Sequence, residues 1–276
     1  MTPQQRFGAN LRRSRRAAGL TQEALWHASG VNRTDEWTSM VLDAARAAGL
    51  HGDRLLDVAC GTGQSFLAML ERGFRVTACD VSPAMAKIAA AKAGDRATVS
   101  VHDMRDLPRL GEFDLVWCLG DALNYLRDGG ELEAALRGMR RNLAPDGVVA
   151  FDVNTLATFR RVYSSLLVMP GERDVIMLDG HGAPDLGAGG SASVWIDRLS
   201  ACDEGRWERR RSIHHHKHHP AAEIEHALAA SGLETVARWG SRPGGLETTV
   251  DERRHIKTVY TARHASAPEA GKEVSA

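Results

Sequence analysis

The chain carries no net charge: its 35 lysines and arginines are matched by 35 aspartates and glutamates over 276 residues. No global field therefore pulls it toward nucleic acid or an anionic membrane. The four cysteines, Cys60, Cys79, Cys118 and Cys202, contain no Cys-x-x-Cys pair. Three of them fall in apolar, strand-like runs, which reads as buried free thiols of a cytoplasmic protein rather than a disulfide frame or a zinc cage. No apolar run approaches the ~18 residues of a membrane helix and no signal peptide is evident, so the chain reads as neither spanning nor secreted. There is no internal repeat. The one local charge excess, Arg12, Arg13, Arg15 and Arg16, reads as a solvated helix face.

The length allows one large domain, or one domain with an appendage, and a sizeable core. Residues 4–30 read as two helices. A third follows from Thr34 to about Gly49, with Trp37, Met40, Val41 and Ala44 at helical spacing. Regular alternation then sets in. Short apolar strands are expected at 54–59, 74–80, 97–103, 113–120 and 147–154, with helices between several of them. One of these helices opens at Ser82, a capping residue followed by Pro83 in the first helical position. Such alternation predicts a parallel sheet covered on both faces. Residues 155–219 break the rhythm and read as a separate antiparallel meander of three strands with glycine-rich connections. A helix from Pro220 to Ala230 and two final strands complete the pattern.

The stretch "LLDVACGTGQSF", residues 55–66, holds the most chemistry. Glycines just after a strand let the backbone approach a ligand at the carboxyl end of the sheet. A dinucleotide fingerprint would need a third glycine where Phe66 stands, and Asp57 directs an acid toward the turn, which suits a cationic ligand better than a pyrophosphate. Asp80 ends the second strand, where a carboxylate can take both hydroxyls of a ribose. Asp103 and Met104 end the third, where they could meet an exocyclic amine and a purine face.

Together, "DVACGTGQS", "VTACDVSPAMAKIA", "VHDMRDLP", "FDLVWCLGDALNYL" and "LAPDGVVAFDVN", in this order and spacing, resemble the class I S-adenosylmethionine-dependent methyltransferases. The resemblance is close over about 35–155. It implies a Rossmann-like α/β fold with a seven-stranded, mostly parallel sheet whose last strand is antiparallel. It implies S-adenosyl-L-methionine as cofactor, with Asp57 and the turn Ala59, Cys60, Gly61 and Gly63 under the methionine moiety and Asp80 on the ribose. Val81, Met85 and Met104 would pack on the adenine, Asp103 would take its amine, and Cys118, Leu119 and Gly120 would border the sulfonium. The implied organisation is a helical segment at 1–33, a cofactor-binding core at 34–154, an inserted substrate-covering meander at 155–219, the end of the core at 220–264 and a disordered tail at 265–276.

The fourth strand lacks the Asp/Asn-Pro-Pro-aromatic motif of nucleic-acid amino methyltransferases, and none of the cysteines follows a proline. Both absences count against a base-modifying enzyme. "LGDALNYL" and the meander resemble instead the small-molecule branch, including sugar-amine and natural-product N-methyltransferases of secondary metabolism. The acceptor expected is nitrogen of an amine, amino sugar or alkaloid-like metabolite, or carbon or oxygen of an aromatic compound. Asp121, Asn124, Tyr125 and Tyr163 would line its pocket, with Asp121 and Tyr163 also in reserve as the base. Trp37, Trp195 and Trp207 add aromatic surface for a flat substrate. The segment "LRRSRRAAGLTQEALWHASGV" resembles the opening of a Cro/repressor-type helix-turn-helix, but the recognition helix that would enter the major groove is missing. It therefore reads as a lid, on which His27 could reach the pocket, or as the arm of a homodimer. A DNA-binding regulator with a ligand-sensing domain is the alternative.

Five histidines and a lysine fill 214–219. A strand there puts His214, His216 and His218 on one face and His215 and His219 on the other. Side chains ~7 Å apart along one face are too spread for all three to reach one ion, so no metal site is expected. The run reads as a polar strand leading to solvent, or as the edge of the substrate chamber, where His214 or His216 would take a proton from the acceptor.

Overall fold

A computed structural model describes residues 34–266, apart from 172, 203–205 and 243. The expected helices of 1–33, with His27, and almost all of the tail lie outside the described residues. The first described element is α1 (Thr34–Ala47), followed by the alternation β1 (Arg54–Val58), α2 (Gln64–Leu70), β2 (Arg75–Asp80), α3 (Pro83–Ala93), β3 (Ala97–Val101), β4 (Phe113–Cys118), α4 (Gly129–Arg141) and β5 (Leu143–Asn154). Helix α5 (Leu156–Arg161) leads into β6 (Leu166–Pro170), β7 (Asp174–Gly180), β8 (Ser191–Ala201) and β9 (Trp207–Lys217). The chain closes through α6 (Ala221–Ala230), β10 (Leu233–Arg242), β11 (Gly245–Glu247) and β12 (Lys257–His264).

The main sheet has the order β11-β10-β12-β5-β4-β1-β2-β3. Strands β1 to β5 are parallel, and β12 runs antiparallel between β5 and β10. The mostly parallel α/β sheet with an antiparallel last strand is as the sequence predicts, but it has eight strands instead of seven. The extra one, β11, is three residues that fold back on the end of β10. Such a short edge strand leaves no alternation to read. The second sheet, β6-β7-β8-β9, is antiparallel throughout and has one strand more than expected, β6.

Successive strand residues feed opposite layers. Leu55, Leu115 and Trp117 pack with Val41, Leu42, Phe66 and Met69 of α1 and α2, while Leu56, Val116 and Cys118 pack with Leu136 and Met139 of α4 and Ile224 of α6. This period of two against two helical layers is what buries the sheet on both faces. A third cluster, with Phe159, Ile176, Val194 and Ile196, binds α5 to the second sheet. Ser82 caps α3 by accepting from Met85 N, with Pro83 at its start, as predicted. Cys60, Cys79 and Cys118 are buried free thiols and Cys202 is exposed. No helix among the described residues is long and apolar enough to cross a membrane.

Candidate active site

The carboxyl ends of β1, β2 and β4 open onto a cavity of about 380 Å³. Two residues other than glycine hold positive φ there, Ala59 after β1 and Asp121 after β4, both at 59°. Left-handed backbone at a non-glycine residue costs energy and clusters at ligand sites. Gly63 has φ 89°, and a Cβ on it would stand 2.8 Å from the Phe66 ring. Phe66 is fully buried, so it closes the turn from below where a third glycine would otherwise lie.

Asp80 is the polar anchor of the cavity. Its Oδ2 accepts from Gly61 N and its Oδ1 from Ser82 N, both at 2.8 Å. A carboxylate has about four acceptor sites, so one on each oxygen remains for a ligand. Val81, 58% exposed, stands beside it, with Met85 and Met104 also on the cavity wall. A Cβ added at Gly61 or Gly120 would meet no atom within 4 Å, so the backbone lies open at both points. An adenosyl group with its two ribose hydroxyls fits these residues: an acceptor pair for the diol, an apolar slot for the purine and bare backbone beneath the chain.

Of the residues implied for the cofactor, Ala59, Cys60, Gly61, Asp80, Val81, Met85, Met104, Leu119 and Gly120 line the cavity. Asp57, Gly63, Asp103 and Cys118 do not. Asp57 is buried beneath the turn and accepts from Ser65 Oγ at 2.5 Å. Burial, with a smaller push from Asp80, raises it to about 7, so it presents no exposed acid. Asp103 is turned to Arg105, whose Nε lies 3.0 Å from Oδ1, and this hydrogen bond holds the carboxyl below its usual range. Cys118 is fully buried within β4, one residue short of the opening.

Among the described residues predicted for substrate and catalysis, Trp37, Tyr125 and His214 line the cavity. Asn124 is fully buried, accepting from Asn154 N and donating to Lys217 O. It fastens the Ala122–Tyr125 turn to both sheets. Asp121 and Tyr163 belong to the same buried web: Asn154 Nδ2 donates to Asp121 Oδ2 at 3.0 Å and to Tyr163 Oη at 2.8 Å. His216 lies behind Tyr125, its ring stacked on Tyr163 at 5.1 Å and edge-on to Tyr125 at 4.3 Å. Burial, together with the charges of His214 and Lys257, pushes it down to about 3. Trp195 is covered by the Arg211 guanidinium, and Trp207 is exposed at the start of β9.

The strand period holds through the histidine run to Lys217, where β9 ends. His214 and His216 face inward, whereas His215 is exposed and meets Ser193 Oγ. His218 and His219 lie past the strand, both buried, against Glu252 and Glu223. The five imidazoles go to separate partners, and no cluster fit to hold a metal occurs among the described residues.

Sequence reasoning missed Asp152 and Lys257. Asp152 is fully buried in β5 and accepts from Gly120 N, Asp121 N, Trp37 Nε1 and Lys257 Nζ at 2.7–3.0 Å. Burial alone would raise its pKa, but the charge and hydrogen bond of Lys257 hold it below the usual carboxylate range. Asp121, 3.7 Å from Lys257, is pushed by burial up to about 6. One carboxylate thus ties α1 and β12 to the loop after β4. An acid inside "GVVAFDVN" and a lysine inside "HIKTVYTAR" were the available signals, since neither belongs in a buried strand unpaired.

Residues 55–147 match the methyltransferase domain family. The chain is 27% identical over 205 residues to YqeM of Bacillus subtilis, a methyltransferase candidate, spanning 72% of this chain and 79% of that one. An S-adenosylmethionine-dependent methyltransferase from Clostridium acetobutylicum has the same fold, with a TM-score of 0.74 at 19% identity over 86% of this chain and 94% of that one. The sugar N-methyltransferase KedS8 from Streptoalloteichus has a TM-score of 0.71 at 25% identity over 90% and 95%. With that domain, this fold and a cavity that fits the adenosyl group, the chain is an S-adenosylmethionine-dependent methyltransferase.

Proposed function

We propose that the chain methylates nitrogen of a small-molecule amine, with amino sugars the favoured class. The observation that carries this reading is that neither cavity-lining group at the acceptor end, Tyr125 or His214, is a ready base. Burial lowers His214 to about 4 and holds Tyr125 well above the ordinary tyrosine value. An alcohol, about as weak an acid as water at pKa ~16, would need a stronger base than that imidazole, and a phenol that keeps its own proton does not supply one. An unprotonated amine needs only to be held with its lone pair toward the methyl group. The likeness to KedS8 over nearly the whole of both chains points the same way.

When bound, S-adenosylmethionine supplies an electrophilic methyl on its sulfonium. The chain's own residues do the rest. Asp80 and the open backbone at Gly61 and Gly120 fix the cofactor's position, and the apolar walls and second sheet exclude water, which turns a bimolecular encounter into a positioned one. The site residues act in this proposal as follows: Asp80 on the ribose, Val81, Met85 and Met104 on the adenine, and Tyr125 and His214 at the acceptor.

The test is methyl transfer from labelled cofactor to amino sugars, simple amines and their hydroxyl counterparts, with the labelled atom located by mass spectrometry. Label on nitrogen of the amines and none on the hydroxyl analogues is expected. Label on oxygen or carbon would overturn the amine reading.

A further inference from the structure

His214 lines the cavity, yet it has no ring nitrogen to spare for an acceptor. Its Nδ1 lies 2.7 Å from the Tyr125 hydroxyl and its Nε2 lies 2.7 Å from Ser212 Oγ. Tyr125 also lines the cavity, and its ring is held from behind by His216. Its hydroxyl can give its hydrogen to His214 and still offer lone pairs forward. Ser212 is half-buried and follows His214 along the same face of β9, toward the exposed residues Trp207 and Glu208.

We infer that Tyr125, His214 and Ser212 form a proton relay from the acceptor to solvent, in which the Tyr125 hydroxyl, not an imidazole, meets the reacting nitrogen. This rests on the amine reading above. The nitrogen lone pair forms the new bond to carbon, and the electrons of the broken carbon–sulfur bond leave with sulfur. The alkylated nitrogen then gives its proton to Tyr125 Oη. The Tyr125 proton passes to His214 Nδ1, the His214 Nε2 proton to Ser212 Oγ, and the Ser212 proton to water. Every residue ends neutral, and His214 ends as its other tautomer. The shifted values suit a relay better than a reservoir: a neutral imidazole keeps its Nδ1 lone pair, and a high-pKa phenol passes a proton without holding a charge.

Two measurements test the relay. In the first, Tyr125→Phe lowers kcat on the amine that the wild type methylates by roughly 100-fold or more, while the affinity for S-adenosylhomocysteine stays within twofold. Ser212→Ala lowers kcat by a smaller factor, and Ser212→Thr, which restores the hydroxyl, recovers it. In the second, nitrogen NMR of the histidine-labelled enzyme with S-adenosylhomocysteine shows His214 protonated on Nε2 and accepting at Nδ1, with the Nδ1 resonance shifted in Tyr125→Phe. A Tyr125→Phe enzyme within threefold of the wild-type kcat, or a His214 protonated on Nδ1, would overturn the relay. Wild-type label on oxygen would overturn the amine reading and the nitrogen end of the relay with it, while the same kcat comparison on that acceptor would still decide whether Tyr125 meets the reacting atom.

Discussion

Asp80 and Asp103 end neighbouring strands as similar acids, yet the folded chain uses them differently. Asp80 is 8% exposed and fixed by two backbone amides, with free lone pairs toward the cavity. Asp103 sits outside the cavity wall, held by Arg105. Asp80→Ala should therefore weaken S-adenosylhomocysteine binding by about 1–3 kcal/mol, the cost of losing partners for buried polar groups. Asp103→Ala should change it by less than ~0.5 kcal/mol, as is usual for a substitution away from the site. Calorimetry on both variants decides between them. Equal losses would return Asp103 to the adenine amine. In the sequence the two residues look alike, each a capping acid after a strand, because what separates them is the arginine that turns toward one.

Among the elements, the strands and the glycine turn were legible because their signals are local. Two-residue alternation, Ser82-Pro83 and the spacing from Gly61 to Phe66 all act within a few residues. The Asp152 hub was not legible, since its donors stand 31, 32, 105 and 115 residues away in the chain. Strand β6 was missed for a related reason: "LLVMP" has no alternation, and Leu166, Leu167 and Val168 are all exposed at the sheet edge. The hub makes a distinct prediction. Asp152→Ala removes the carboxylate that Lys257 Nζ meets at 2.7 Å, and removing one partner of a buried pair costs about 3–5 kcal/mol. Lys257→Met in the same chain should restore part of that loss, with a coupling of about 1–3 kcal/mol in a double-mutant cycle. Denaturant melts of the two single variants and the double variant measure it. Simple additivity would mean that Asp152 acts through the backbone of Gly120 and Asp121 and not through the ion pair.

For the whole molecule, the buried polar groups set how stability responds to acid, and they pull in opposite directions. His216 is lowered to about 3 from an unfolded value near 6.5. Below pH 6.5 the unfolded chain takes up this proton and the folded chain does not, so His216 makes stability fall with falling pH. Asp121 and Asp57 are raised to about 6 and 7, so over part of the same range the folded chain binds more protons there than the unfolded one. Their contribution grows as pH falls, and the wild-type profile between pH 4 and 6.5 is flattened by the opposition. His216→Phe keeps a ring between Tyr125 and Tyr163 and removes only the histidine's share. The charged and titratable neighbours that remain around it, Asp121, Lys257 and His214, are the same in both proteins. The variant should therefore gain on the wild type by about 1.4 kcal/mol for each pH unit below 6.5, seen as a widening gap between urea midpoints at pH 7, 6 and 5. Midpoints that move in parallel would mean that His216 is protonated in the folded chain, paired with the Asp121 carboxylate 3.7 Å away, and not held neutral by its burial.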